Sequence, residues 1–339
     1  MNKILKLFDE QFVLELFNDK LLPHYPNFSN IKKISINPIK KGVWGDTYHV
    51  VIEFKTIFSA NDGKNKKLSV FCSAHSDEPR KKSFEALNFL WQNGFAHSRL
   101  GIPHPLFYSD YFNAFFYRGV KGDHLYKFIR GNNRPEINAI VPKAAAWFAK
   151  LHNTPTANAK NFNEENSRIK TVIPGAAHVM TSIKDSYPQY HNFYQKAYDY
   201  FIAAEEKFLS ATAKHWLIHG DAHPENIIKI SANKIAVIDF TDICLADCAR
   251  DIGTFLQQLE YMVMRKINDA KYANELKNLF LEKYFNNVKI TLDSSFTDRI
   301  NLYYNWTILR TASFFFLKYN AEPDRAKSLV EQAKKNLDI

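Results

Sequence analysis

The spacing of apolar positions changes period several times along the chain. Near the start, Phe8, Phe12, Leu16 and Phe17 fall on one helical face before Pro23 and Pro26 stop the pattern. Three strand-like runs follow, IKKISINPIKK, TYHVVIEFK and KLSVFCSAH, separated by GVWGD and by the polar turn NDGKNK. They predict a small antiparallel sheet. The segment KKSFEALNFLWQNG returns to a helical period through Phe84, Leu87, Leu90 and Trp91, and Gly94 ends it. GIPHP reads as a loop and NAFFYRGV as a short strand, which leads into a helical signal over His124 to Arg130. From Pro135 onward the period is helical almost throughout, with an Asn-rich surface loop expected at 156–167. The expected fold class is α+β, a small antiparallel-sheet N-terminal part over 1–117 and a mainly helical C-terminal part over 123–339, joined at 118–122.

The exception within the helical part is WLIHGDAHPENIIKISANKIAVIDFTD, residues 216–242. Ile227 to Ile230 and Ile235 to Ile238 are short β-branched runs on either side of SANK, the pattern of a β-hairpin. Asn226 precedes the first run and Asp239 follows the second, so antiparallel pairing would bring a carboxamide and a carboxylate together at the open end. These are hard oxygen donors of the kind Mg²⁺ accepts, with phosphates and water in its other positions. Asp221 lies upstream in a loop that Gly220 and Pro224 keep from becoming a regular helix, placed to accept the proton of an attacking hydroxyl. Asp and Asn are also ordinary turn and cap residues, so each of the three has a structural reading as well. His219 and His223 have the spacing of a zinc pair only on a continuous helix, which Gly220 and Pro224 argue against.

Composition narrows the picture further. With 46% hydrophobic and 15% aromatic residues in 339 positions the chain has ample material for a core, and no apolar run is long enough to cross a bilayer. Lys6, Asp9 and Glu10 interrupt any apolar leader core, and three cysteines, Cys72, Cys244 and Cys248, form no C-x-x-C pair; a reducing cytoplasm is the expected location. Cys244 and Cys248 read as packing residues, one helical turn apart if that segment is helical. The formal charge of +10 is shared about evenly between the two parts, without a concentrated basic arm, so neither nucleic acid nor membrane is an expected partner. Oligomeric state is left open.

His219-Gly220-Asp221-Ala222-His223-Pro224-Glu225-Asn226 followed by Ile238-Asp239-Phe240 resembles the signature of the aminoglycoside phosphotransferase and choline kinase superfamily. The resemblance implies a bilobal protein-kinase-like fold, ATP and Mg²⁺ as cofactors, Asp221 as catalytic base, Asn226 and Asp239 as metal ligands, and His219 and His223 shaping the catalytic loop. It extends to Trp147 through His152, similar to the family's helix ending in Leu-His, and to Ala249-Arg250-Asp251-Ile252-Gly253. Arg118-Gly119-Val120-Lys121-Gly122 resembles the hinge, which puts Tyr117 and Val120 beside the nucleotide. Gly42, Gly45 and Thr47 sit where the family has its phosphate-covering loop. Glu85 resembles the helix glutamate that pairs with a strand lysine, but Ser73 stands in that lysine's place, and Lys41, Lys55 or Lys82 would have to substitute.

The expected activity is therefore phosphate transfer to a hydroxyl of a small molecule, such as a sugar, an amino alcohol, an aminoglycoside-like or a homoserine-like compound. The alternative is a nucleotide-binding relative with weak or no catalysis, because of Ser73. Thr241 after Asp239-Phe240, with no A-P-E beyond it, argues against a protein substrate. Tyr303, Tyr304 and Trp306 have the spacing of core residues and, less simply, of an aromatic cage for a quaternary amine. Asp242, Asp247 and Glu260 could contact a cationic or hydroxylated acceptor, or cap helices and pair with Arg250.

Overall fold

A computed structural model describes residues 2–78 and 80–338. They form two compact units, one running to Gly122 and including Ala236–Thr241, the other Asp123–Ile235 together with the chain from Asp242 onward.

In the first unit the N-terminal periodicity is broken where the sequence did not signal it. A 3₁₀ turn over Lys3–Phe8 ends at Asp9, whose carboxylate accepts the N–H of Phe12 and starts helix α1, Glu10–Lys20. α1 buries Val13 and Phe17, while Phe8, Phe12 and Leu16 are half-buried. The expected strands are present and longer than the sequence suggested: β1 (Phe28–Trp44), β2 (Thr47–Ala60) and β3 (Asn65–His75). β2 shows why it is a strand, since Tyr48, Val50, Ile52, Phe54, Thr56 and Phe58 alternate into the core. Helix α2 (Lys81–Leu90) ends in a turn through Gly94, which takes a φ of +90° that glycine alone adopts freely. The short β4 (Leu100–Gly101) precedes β5 (His104–Ser109) and β6 (Ala114–Arg118), and the sheet order is β1-β2-β3-β6-β5. β5 replaces the loop expected at GIPHP: its Pro105 sits beside a register shift on the edge strand, where a missing N–H is tolerated. Phe17 of α1 packs edge-on against Phe54 and Phe116, at 5.1 and 6.0 Å between ring centroids, and closes one face of the sheet.

The second unit opens with β7 (Asp123–His124) and α3 (Leu125–Arg130), where the His124 side chain accepts the Lys127 N–H as a cap. α4 (Arg134–His152), α5 (Ala176–Ser186) and α6 (Pro188–Ala211) follow, then β8 (Trp216–Ile218), β9 (Ile227–Ser231), β10 (Lys234–Val237) and β11 (Cys244–Ala246). β9 and β10 are the expected hairpin; β7 pairs with β9 and β8 with β11, both antiparallel. α7 (Ala249–Lys266), α8 (Ala270–Asn287), α9 (Phe296–Leu317) and α10 (Pro323–Leu337) complete the unit. Gly253 permits the close crossing of α7 on α9, because a Cβ there would lie 2.6 Å from the Ile300 carbonyl oxygen.

Two local expectations need correction here. The stretch 156–167 is not a free surface loop: buried Asn166 donates to the Asp242 carboxylate at 2.7 Å, and the Asn161 side chain accepts the Leu245 N–H at 2.9 Å. Cys244 and Cys248 do not share a helix, since one lies in β11 and the other caps α7; both are buried and unpaired, as is Cys72. Among the described residues no helix is long and apolar enough to cross a membrane.

Candidate active site

The loop after β8 is set by one buried carboxylate. Asp251, in the first turn of α7, accepts the backbone N–H groups of His219 at 2.7 Å and Gly220 at 2.9 Å, and lies 3.2 Å from His152 Nε2. An ionised carboxylate only accepts, so Nε2 carries the proton and Nδ1 is left to accept from the Tyr284 hydroxyl at 2.9 Å. Burial would raise the Asp251 pKa, but these donors, His152 first, carry it below the ordinary carboxylate value. The sequence resemblance named the segments carrying His152 and Asp251; their joint task is to hold this turn. Gly220 has a φ of +83°, and a Cβ would stand 2.2 Å from the Asp242 carbonyl oxygen. No other residue fits there.

This turn presents Asp221. His223 Nε2 lies 3.2 Å from Asp221 Oδ2, while His223 Nδ1 accepts the Glu225 N–H at 3.2 Å, which fixes the proton on Nε2. Burial acts to raise the Asp221 pKa; the hydrogen bond and field of His223, with Arg310 and His219 behind them, reverse that and hold it well below the usual carboxylate range. His219 is fully buried, packs against the Trp147 ring and accepts the Asp221 N–H at 3.3 Å, so it supports the loop from beneath. Asn226 donates to the Asp221 backbone oxygen at 2.9 Å, and its own Oδ1 accepts nothing among the described residues.

Asp221 and His223 line a cavity of 510 Å³ within this unit, bounded by residues of α7 and α9 and by Lys318 and Arg325 beyond them. The residues considered from sequence for binding a cationic acceptor lie elsewhere. Asp247 is fully buried, caps Ala249 and pairs with Arg299 rather than Arg250; Glu260 pairs with Lys277 and accepts the Tyr304 hydroxyl. Tyr303 donates to Glu205, and both Tyr303 and Trp306 are core.

In the sheet unit, the face turned away from α1 carries half-buried Ser73 on β3 and stacked rings of Phe71, Tyr117 and Phe115, with centroids 5.6 and 5.0 Å apart. Val120 and Glu85 are half-buried. The segment that resembles the phosphate-covering loop between two strands is a tight hairpin, with Trp44 opposite Thr47. Gly45 turns the chain at a φ of +52°, Thr47 Oγ1 donates to the Trp44 carbonyl, and Gly42 is an ordinary strand residue covered by the Trp44 indole, 2.4 Å from where a Cβ would stand.

Lys41 lies over the Phe8 ring, Lys55 turns toward Glu53, and Lys82 is exposed. A different basic residue, missed from sequence, occupies the corner near Asp239. Arg80 is 7% exposed, and its Nη1 lies 3.3 Å from Thr241 Oγ1 and 3.2 Å from Glu78 Oε2. Thr241 in turn donates to Asp239 Oδ1 at 2.9 Å. Arg80 Nε is buried with no partner among the described residues. Burial first, then the charges of Lys40 and Arg80, push the His49 pKa down to about 4. The run Arg80 to Lys82 reads from sequence as solvated loop or helix-end charge, which the burial of Arg80 corrects; its contact with Thr241 joins residues 161 positions apart.

Among the described residues, no group of three or more His, Cys, Asp or Glu side chains is gathered as a metal cage. In the helical unit Asn226 Oδ1 accepts nothing among the described residues; in the sheet unit Asp239 is exposed, has a φ of +65° and accepts from Thr241 through Oδ1. Each side chain, taken in its own unit, offers a hard oxygen of the kind that divalent cations accept.

The profile of the phosphotransferase enzyme family matches residues 36–285. A search of curated proteins finds no match. Among solved structures, the chain resembles a spectinomycin phosphotransferase bound to ADP and spectinomycin, at a TM-score of 0.57 and 13% identity over 98% of this chain and 99% of that one. It also resembles a phosphotransferase in complex with streptomycin and ATP (0.57, 15%, 95% and 96%), and an ethanolamine kinase of Plasmodium vivax (0.55, 14%, 88% and 81%). These likenesses establish the protein-kinase-like α+β fold. With its family profile spanning well over half of its length, the chain belongs to the phosphotransferase enzyme family.

Proposed function

We propose that the protein is an ATP- and Mg²⁺-dependent kinase that transfers the γ-phosphoryl group to a hydroxyl of a small molecule, working in a reducing cytoplasm that suits its three unpaired cysteines. The observation that carries this reading is Asp221: an ionised carboxylate on a clamped turn, oriented by His223 and lining a cavity of 510 Å³. An acceptor in that cavity would place its hydroxyl against Asp221, which takes the proton as the oxygen attacks the γ-phosphorus and the bond to the bridging oxygen breaks, releasing ADP. His223 holds the carboxylate in one orientation, and Asp251 holds the backbone that carries it. On the sequence resemblance, Asn226 and Asp239 are proposed as the residues that would hold the cation. When bound, the cation supplies charge neutralisation on the transferring phosphate.

In the sheet unit, Tyr117 and Val120 are proposed to flank the base and Arg80 to contact the phosphates, the task that Ser73 cannot perform. Arg80 Nε is one of several buried donors without a partner among the described residues, and a guanidinium matches phosphate geometry. That argues for a working enzyme over a silent nucleotide binder. ADP, AMP, ATP, spectinomycin and streptomycin are named with the resembling structures, consistent with a nucleotide donor and a small hydroxylated acceptor.

The test is turnover of ATP across a panel of hydroxylated metabolites with Asp221→Asn as the comparison. The expected fall in kcat is about 10²–10⁴-fold, with ATP affinity retained. Phosphate transfer at the wild-type rate in that variant would remove Asp221 from the chemistry.

A further inference from the structure

We propose that the acceptor is an anion: a hydroxylated compound bearing a carboxylate or phosphate group, bound in the cavity beside Asp221 with Arg310 as its principal charge partner. This rests on the kinase reading for the word acceptor, but the argument for charge is separate. The cavity wall carries four permanent cations, Arg265, Arg310, Lys318 and Arg325, against two carboxylates, Asp221 and Glu225. Asp221 is engaged by His223 and Glu225 is exposed. Lys318 and Arg325 share Glu322, which neutralises part of their charge from outside the wall. Arg310 has no such partner. It is half-buried on α9, lies over the Trp306 ring at 5.4 Å, and makes no hydrogen bond or ion pair among the described residues. Its field reaches Asp221, where it favours the ionised form.

A guanidinium held on an aromatic ring with its donors unused is costly to desolvate further unless an anion meets it, and a planar fork matches a carboxylate or a phosphate in two parallel hydrogen bonds. An acceptor carrying ammonium groups would meet the same wall with repulsion, and the carboxylates that might have welcomed it, Asp247 and Glu260, are committed elsewhere in the unit. The hydroxyl would be presented to Asp221 at one end and the anionic group to Arg310 at the other. The arrangement orients the acceptor, so Arg310 acts in binding more than in the transfer step.

Calorimetry on the full chain with four matched hexose compounds, gluconate, glucose 6-phosphate, glucose and glucosamine, reads charge preference without requiring phosphate transfer. At least one of the two anions should bind more tightly than glucose, with glucosamine weakest, and the stronger anion identifies carboxylate or phosphate as the group recognised. Arg310→Gln should weaken that binding by about 10-fold or more, and Arg310→Lys should recover part of it. Circular dichroism checks that both variants fold, and Arg265→Gln, on the exposed rim, gives a second reading through a smaller loss. Glucose or glucosamine binding as tightly as both anions, absence of binding by either anion, or anion binding indifferent to Arg310 and Arg265 would each overturn the proposal. With ATP and Mg²⁺ added, anion binding without phosphate transfer to any acceptor would retire the kinase reading and leave this inference standing. Transfer to an amino sugar in preference to the acids would do the reverse.

Discussion

The loop after β8 and the outer face of the sheet unit both keep charge away from bulk water, and they do so to opposite ends. In the loop, Asp251 receives two backbone N–H groups and the His152 ring, and Asp221 has His223. In the sheet unit, Arg80 shares one nitrogen between Thr241 and Glu78 and leaves Nε with nothing. A satisfied buried charge fixes a backbone in one shape; a half-satisfied one costs stability until something binds it. The contrast separates a group that holds the loop from a group proposed to meet a ligand.

Removing Asp251 should have the largest effect on stability. Asp251→Ala orphans two buried N–H groups and a histidine, and the expected loss is about 3–5 kcal/mol, read as a lower urea midpoint with the slope unchanged. Hydrogen exchange at His219 and Gly220 should accelerate with it. Arg80→Met, by contrast, should cost little or raise stability while weakening ATP binding about 10- to 150-fold by calorimetry, with Arg80→Lys recovering part. Equal losses of stability in the two variants, or ATP affinity untouched by Arg80→Met, would erase the distinction.

The same contrast explains what could be read in the sequence. The order around Asp221 is local: Gly220 for a left-handed turn, His223 two residues on, Asn226 at the mouth of a hairpin whose β-branched runs announce it. Strands β1 to β3 were legible for the same reason, through alternation within each run. What escaped was distant in sequence or hidden by an exception to a local rule. β5 contains a proline that reads as a loop until the edge position is known. Asp9 interrupts a helical stripe by capping rather than by breaking its hydrophobicity. Asn161 and Asn166 look like surface polarity until Leu245 and Asp242 supply their partners. Arg80 is the clearest instance: with no lysine on the strand, Lys41, Lys55 and Lys82 are the substitutes the sequence offers, whereas the buried cation belongs to a residue before α2 and meets Thr241 only through the fold. Arg310 was likewise one charge among many on a helix whose aromatic residues drew the eye.

The smallest effect expected is also the cleanest probe of the satisfied charge. The folded-state pKa of Asp251 lies below its unfolded value of about 3.9, so its stabilisation is complete at higher pH and is lost as pH falls through that value toward the folded one. Asp251→Asn keeps the shape, cannot ionise, and loses nothing further on acidification at this position. The stability gap between wild type and Asp251→Asn should therefore be constant above about pH 5 and narrow below about pH 4, by at most about 1.4 kcal/mol per pH unit, the slope for a single proton. Urea unfolding of both proteins at several pH values measures the gap directly. A gap that stays constant through the acid range would mean that the carboxylate gains nothing from its donors, and the loop would then owe its shape to packing around Gly220 instead.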